Sequence, residues 1–262
     1  MPPRIGIAGI AGRMGRLLAE EAAAAGAEVS GGTLRPGSGT HGAEQPPGVP
    51  LLPDAAALFA ASDVVIDFTH AAAAAEHAAA AAASGTPLVL GTSGLSAEAE
   101  AALARAAERV PVVYAANFAP GVNLVLALAE RMAAALPGDV YDAEILEMHH
   151  RQKVDAPSGT ALALGRAVAR GRGTTLEAAG AESGRDGHCG ARGAGAIGFA
   201  ALRGGQVVGE HTVLFAAGAE HIALTHRSFD RRAYAAGAVR AALWLRGRAP
   251  GLYDMKPVLG MA

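Results

Sequence analysis

The stretch RIGIAGIAGRMGR at residues 4–16 decides the fold. Residues 4–9 are short and apolar, which reads as a buried strand. Residues 12–25 carry a helical pattern, and Gly26 follows where a helix is closed. Between strand and helix stands Gly9-Ile10-Ala11-Gly12-Arg13-Met14-Gly15. Glycines at 9, 12 and 15 let the backbone turn tightly, approach a pyrophosphate and pack the helix on the sheet. The helix N-terminus then offers N–H groups to phosphate oxygens. The spacing is G-x-x-G-x-x-G, with Ala11 where the commoner motif has its second glycine. A glycine-rich turn in an alanine-rich chain would look the same in isolation. Its place directly after the first strand favours a dinucleotide turn.

The alternation continues outward from this turn. Alanine fits both core and surface, so glycine, proline and β-branched residues are the better markers here. Strands are expected at 28–34, 64–68, 87–90 and 111–115. Helices are expected at 71–84, closed by Gly85, and from the cap Ser96 through 109. Residues 36–53 are rich in Gly and Pro and read as loop, with Asp54 capping a short helix. Strands separated by crossover helices indicate an α/β, Rossmann-like domain with a parallel sheet. The second strand ends Thr33-Leu34-Arg35, without the acid that would hold the ribose of NAD. Arg35, helped by Ser38, is the candidate for the 2′-phosphate of NADP; a solvated surface arginine is the alternative.

The character changes near residue 118. A helix at 121–136 ends at Pro137-Gly138, followed by a strand at 139–148 and a helix opening at Pro157-Ser158. The Gly-rich stretch 171–195 reads as a mobile loop. Strands at 196–203 and 206–215 are expected to pair as a hairpin through Gly204-Gly205, with a third at 221–226. This is an α+β domain with a mixed or antiparallel sheet. The last helix, 230–247, could belong to either domain.

His149-His150-Arg151-Gln152-Lys153 sits at a strand end, a cationic cluster suited to anions and proton donation. Ser158-Gly159-Thr160 then opens a helix whose first N–H groups make a carboxylate site. A zinc site would need further ligands, and no Cys or acidic pattern supplies them. An exposed basic loop before a capped helix stays open on composition alone.

Bulk properties narrow the function classes. Of 262 residues, 51% are apolar and 18% charged, which suits a globular chain and argues against disorder. A net charge of −2 leaves no basic excess for nucleic acid. The alanine run at 71–83 is interrupted by Glu76 and His77 and reads as a helix rather than a membrane span. Residues 1–12 do not read as a signal peptide. A single cysteine, Cys189, is consistent with a reducing compartment, and cytoplasmic is the expectation.

Taken together, several motifs resemble dihydrodipicolinate reductases of lysine and diaminopimelate synthesis. They are GIAGIAGRMGR at 6–16, DFTHAAA at 67–73, GTSG at 91–94, AANFAPGVN at 115–123 and EMHHRQKVDAPSGTAL at 147–162. RDGHCGARGAGAIGFAALRGGQVVGEHTVLF at 185–215, GAVRAALWL at 237–245 and GLYDMKPVL at 251–259 extend the likeness over nearly the whole chain. The resemblance implies a dinucleotide-binding domain at 1–118, completed by 229–262, and an inserted substrate-binding and oligomerisation domain at 119–228. It implies cofactor contacts at Gly9, Ile10, Ala11, Gly12, Arg13, Met14, Arg35, Gly91, Thr92, Ser93, Ala115, Ala116, Asn117 and Phe118. His149 is implied as the catalytic acid/base and Lys153 as the proton donor, with His150, Gly159 and Thr160 as ligands of a substrate carboxylate. NADPH is the expected cofactor and NADH a possible one, the small dicarboxylate is the substrate, and the assembly is a homotetramer. Leu34 departs from relatives that carry an acid there, which puts NADH use in question. A semialdehyde dehydrogenase is the rival enzyme, but it needs a nucleophilic cysteine and Cys189 lies in a Gly-rich loop. A dinucleotide sensor without chemistry is the rival outside enzymes; the His149/Lys153 pair argues against it.

Overall fold

The computed structural model describes residues 1–34 and 46–261, so Arg35 and Ser38 lie outside the described residues. The chain forms two compact units, Met1–Pro120 with Arg231–Ala262, and Gly121–Asp230.

In the first unit the elements run β1 (Arg4–Ala8), α1 (Arg13–Ala24), β2 (Glu28–Gly32), α2 (Ala55–Ala60), β3 (Val64–Asp67), α3 (Ala74–Ser84), β4 (Leu88–Leu90), α4 (Ala97–Ala107) and β5 (Pro111–Tyr114). The second unit holds α5 (Pro120–Ala135, its first residue in the first unit), β6 (Asp142–His149), α6 (Gly159–Gly171), α7 (Leu176–Ala179), β7 (Ala181–Ser183), β8 (Ile197–Arg203), β9 (Gly209–Ala216) and β10 (His221–Ser228). The chain returns to the first unit with α8 (Arg232–Leu245), β11 (Gly251–Tyr253) and α9 (Met255–Val258).

The first unit is an α/β sandwich around a six-stranded parallel sheet in the order β11-β5-β4-β3-β1-β2. Ile5, Ile7, Val64, Ile66, Val89 and Val113 share one core with α1 and α8. Val65, Leu88, Leu90 and Val112 share another with α2, α3 and α4. Burial on both faces explains why these strands read as continuous apolar runs. The sheet winds outward both ways from β1, and crevices for ligands open at strand carboxyl ends beside such a reversal. The last helix, left unassigned by sequence, packs in this unit, and β11 was not foreseen.

The second unit has a five-stranded mixed sheet in the order β10-β9-β6-β8-β7. Its inner face packs on α5 and α6 through Ala129, Ile145, Leu164, Val168, Phe199 and Phe215. Two expectations are corrected here. First, β8 and β9 do not pair as a hairpin, because β6 lies between them, parallel to β8 and antiparallel to β9. The Gly204-Gly205 connection instead passes over the end of β6, with Gly204 N–H donating to His149 O at 3.0 Å and Arg151 N–H to Gly205 O at 3.3 Å. Burying β6 on the helix layer in the sheet's centre outweighs the local pairing. Second, 171–195 is not one mobile loop. It contains α7 and the edge strand β7, and Arg192 is tied to Asp142 Oδ1 and Glu144 Oε1 at 2.8 Å each. Arg185 adds contacts to Glu144 and Glu182.

At the first turn, Gly9 has φ +70°, a left-handed conformation that glycine adopts without strain. A Cβ on Gly15 would lie 2.4 Å from Gly9 O and 2.6 Å from Ile10 Cα, both backbone atoms. Gly15→Ala must therefore push α1 off the turn, and about 1–3 kcal/mol of stability should be lost. A Cβ on Gly218 meets nothing within 4 Å, so Gly218→Ala should stay within about 0.5 kcal/mol of the parent. Urea unfolding of both variants checks the pair, and equal stabilities would mean that the turn relaxes without cost.

Candidate active site

The implied cofactor residues of the first unit gather on one edge of its sheet. Gly9, Ile10, Ala11, Gly12, Arg13 and Met14 follow β1, Gly91, Thr92 and Ser93 follow β4, and Ala115, Ala116, Asn117 and Phe118 follow β5. All three are carboxyl ends of parallel strands. Ile10 and Phe118 are buried in the core, so any contact they make to a ligand runs through backbone atoms. Gly12 is the N-cap of α1 and no side chain caps that helix, which leaves its first N–H groups without the usual internal acceptor. Thr92 Oγ1 is buried without a hydrogen-bond partner. An uncapped helix terminus after β1 and an orphaned hydroxyl after β4, both at carboxyl ends of the same sheet, fit a dinucleotide's oxygens.

Sequence reasoning missed the residue that shapes this edge between β1 and β4. Asp67, fully buried at the end of β3, accepts from Thr69 N at 2.7 Å and Thr69 Oγ1 at 2.6 Å. Its other oxygen lies 2.6 Å from His77 Nδ1 on α3. Burial works to lower the His77 pKa, but the bond to Asp67 outweighs it and the net direction is upward. The pair fixes the turn after β3.

In the second unit, β6 delivers the catalytic candidate. His149 is the last residue of β6 rather than the first of a loop, held there by the bond from Gly204. Side chains two apart on a strand share a face, so Glu147 and His149 point to the same side. Glu147 is 2% exposed. Its Oε2 accepts from His149 Nδ1 at 2.6 Å and from Arg203 at 2.8 Å, and its Oε1 accepts from Arg203 at 2.8 Å and Ser158 N at 3.1 Å. Burial alone would raise the carboxyl pKa, but hydrogen bonds from Arg203 and His149 prevail and lower it. An ionised carboxylate only accepts, so Nδ1 carries the hydrogen and Nε2 is the exchangeable atom.

Burial lowers the His149 pKa, and positive Lys153 and Arg203 work the same way, against Glu147. Burial thus works against a charged His149, while Lys153 and Arg203 are the cations that act on it. Lys153 Nζ donates to both oxygens of Asp155 at 2.8 Å. His150 is half-buried with Nδ1 unpartnered. Ser158 caps α6, its Oγ accepting from Ala161 N at 3.1 Å, and Gly159 and Thr160 occupy the first positions of that helix. Gly209 faces His149, where a Cβ would stand 3.1 Å from Nε2. The structure therefore brings His149, Lys153 and the α6 terminus into one segment of the second unit. Glu147, Arg203 and His211 were not foreseen. The E-x-H spacing of Glu147 and His149 at strand period was the available signal for the first.

His211 on β9 stacks edge-on against His149, ring centroids 5.1 Å apart, and its Nε2 lies 2.9 Å from Ser158 Oγ. Burial pushes it from its ordinary 6.5 to about 4. Between those values the unfolded chain binds a proton that the folded chain refuses, so stability falls as pH falls through the window. The loss is at most about 1.4 kcal/mol for each pH unit. Urea unfolding at about pH 7.5 and pH 5 should show wild type losing more stability than His211→Gln over that interval. Equal losses would place the acid sensitivity in another group.

Comparisons with known proteins agree in direction. The family profile described as dihydrodipicolinate reductase, N-terminus, matches residues 3–118, and the one described as dihydrodipicolinate reductase, C-terminus, matches residues 121–259. The 4-hydroxy-tetrahydrodipicolinate reductase of Granulibacter bethesdensis is 67% identical over 98% of this chain and 97% of its own. The enzyme of the same name from Thiobacillus denitrificans is 49% identical over the full length of both. A dipicolinate-bound dihydrodipicolinate reductase from Paenisporosarcina sp. TG-14 shares the fold with a TM-score of 0.78 at 24% identity, over 97% of this chain and 98% of that one. The chain belongs to the dihydrodipicolinate reductase family.

Proposed function

We propose that the chain reduces 4-hydroxy-tetrahydrodipicolinate to tetrahydrodipicolinate with NAD(P)H, a step of lysine and diaminopimelate synthesis. The observation that carries this reading is the short segment 149–160, where one carboxylate holds both the His149 imidazole and the capped start of α6, with Lys153 in the loop that joins them. A site for an anion, a proton acceptor and a proton donor are what reduction of a dicarboxylate ring requires. The curated relatives of the same name, alike over nearly their whole length, support the same chemistry.

When bound, the dinucleotide supplies a hydride; one proton is also consumed, and the substrate's hydroxyl leaves as water. This chain's residues do the rest. The first N–H groups of α6, at Gly159 and Thr160, hold one substrate carboxylate, joined by His150. Lys153 donates the proton, and His149 acts as acid/base through Nε2. A positioned proton donor contributes roughly a hundred- to ten-thousandfold in rate. On the first unit, the turn at Gly9 to Met14 and the loops at Gly91 to Ser93 and Ala115 to Phe118 hold the dinucleotide.

NADPH is the preferred cofactor in this reading and NADH the weaker one, because Leu34 offers no acid to the ribose and Arg35 pairs with the 2′-phosphate. Four copies assemble through the second unit's sheet, whose outer face leaves Leu146 and Leu202 exposed. A cytoplasmic setting accords with the single cysteine.

Initial rates with each cofactor against freshly made substrate test these assignments. Lys153→Ala should lower kcat by about a hundredfold or more while leaving the cofactor KM near that of wild type. Arg35→Ala should lose about 1.5–3 kcal/mol of NADPH affinity, roughly ten- to more than a hundredfold, without affecting NADH. The preference should also shrink as salt rises. A near-wild-type kcat in Lys153→Ala would remove that residue from the chemistry. Equal use of both cofactors by wild type would make Arg35 a surface residue.

A further inference from the structure

Glu147 has no part in the proton and anion chemistry just described, yet it is among the least exposed charged groups of the second unit. Its two oxygens serve two different pieces of the site. Oε2 takes the hydrogen of His149 Nδ1 at 2.6 Å, and Oε1 takes that of Ser158 N at 3.1 Å, the residue that caps α6. Arg203 from β8 bridges both oxygens at 2.8 Å each and donates to Asp155 O at 2.7 Å, so the carboxylate cannot rotate without breaking several bonds. We infer that Glu147 is a positioning residue that holds the proton-exchanging face of His149 and the carboxylate-binding N-terminus of α6 in one register. The inference rests on the functional reading of His149, Gly159 and Thr160 given above.

Strand geometry makes this arrangement possible. Residues 147 and 149 share a face of β6, and Ser158 returns to the same spot after the excursion 150–157, which carries His150, Lys153 and Asp155. A single carboxylate therefore anchors both ends of the segment. His211 adds a second tether on Ser158 through Oγ at 2.9 Å, and it packs edge-on against His149. With Nδ1 committed to Glu147, the imidazole exchanges protons only at Nε2, at a separation from the helix terminus that the carboxylate sets. The charged groups facing His149 are Glu147 from β6, Lys153 from the following loop and Arg203 from β8. The titratable ones are His211 from β9 and, behind it, His226 from β10.

The alternative is that Glu147 only neutralises Arg203. Glu147→Gln separates the two, since it keeps the shape and one acceptor but removes the charge. Positioning predicts that kcat falls roughly ten- to a hundredfold. It also predicts that pyridine-2,6-dicarboxylate inhibits several-fold less tightly while NADPH binds as in wild type. In protein labelled with 15N-histidine, with the His149 signal assigned from His149→Gln, ionisation should move down by about one pH unit, because a neighbouring negative charge is gone. The neutral ring should also lose its single Nδ1–H tautomer. A variant that merely melts earlier, with kcat, inhibition and tautomer as in wild type, overturns the proposal. Should the variant fail to fold, the wild-type spectrum still decides, since a neutral His149 carrying its hydrogen on Nε2 contradicts it. These spectra need no turnover, so a chain that fails to oxidise NADPH with the substrate defeats the functional reading without touching this result.

Discussion

A carboxylate as buried as Glu147 costs several kcal/mol in lost hydration unless its charge is met inside the protein. Much of the second unit's site follows from how that cost is met. The bidentate guanidinium of Arg203 supplies the counter-charge with fixed geometry, which a lysine ammonium could not reproduce. His149 and Ser158 fill the remaining lone pairs. Satisfied in this way, a buried polar network is rigid, and removing one member leaves the rest unpaired. The ring orientation of His149, the start of α6 and the course of the chain after β8 are therefore parts of one arrangement.

The first unit solves a different problem with different means. A parallel sheet buried on both faces leaves its strand ends as the place where backbone groups can reach a ligand. Backbone contact demands close approach, and Gly15, whose Cβ would strike the backbone of the turn, shows how tight the packing is there. Asp67 shapes the next turn along by accepting from Thr69 through one oxygen. Both units thus present a helix N-terminus, the first beside a glycine turn and the second anchored on the Glu147–Arg203 ion pair. The two suit a phosphate-rich cofactor and a small dicarboxylate respectively.

Much of this was legible in the sequence, for identifiable reasons. The strand–helix alternation around residues 4–16 carries its own periodicity and punctuation, and the crossover connection leaves a parallel sheet as the outcome. The 147–162 segment is dense in ionisable residues and names its own chemistry. What stayed hidden depends on partners distant in sequence. Arg203 meets Glu147 across 56 positions, and nothing near either residue announces it. The Gly204-Gly205 turn invites a local hairpin, yet β6 takes the place between the two strands because the sheet gains more by burying it. The stretch 171–195 looks mobile by composition, but Arg192 reaches back about fifty residues to Asp142 and Glu144 and ties it down. The acidic residue at 147 was readable through its strand spacing from His149, had the strand been extended by one residue.

The most direct measurement is a crystal structure of the chain with NADPH and pyridine-2,6-dicarboxylate, a flat and unreactive mimic of the substrate. The account predicts one ligand carboxylate within about 2.7–3.2 Å of the Gly159 and Thr160 N–H groups. The ring should lie beside Nε2 of His149, with Glu147 still holding Nδ1 and Ser158 N. A dicarboxylate seated away from the α6 terminus, or a His149 ring turned so that Nε2 faces Glu147, would contradict it.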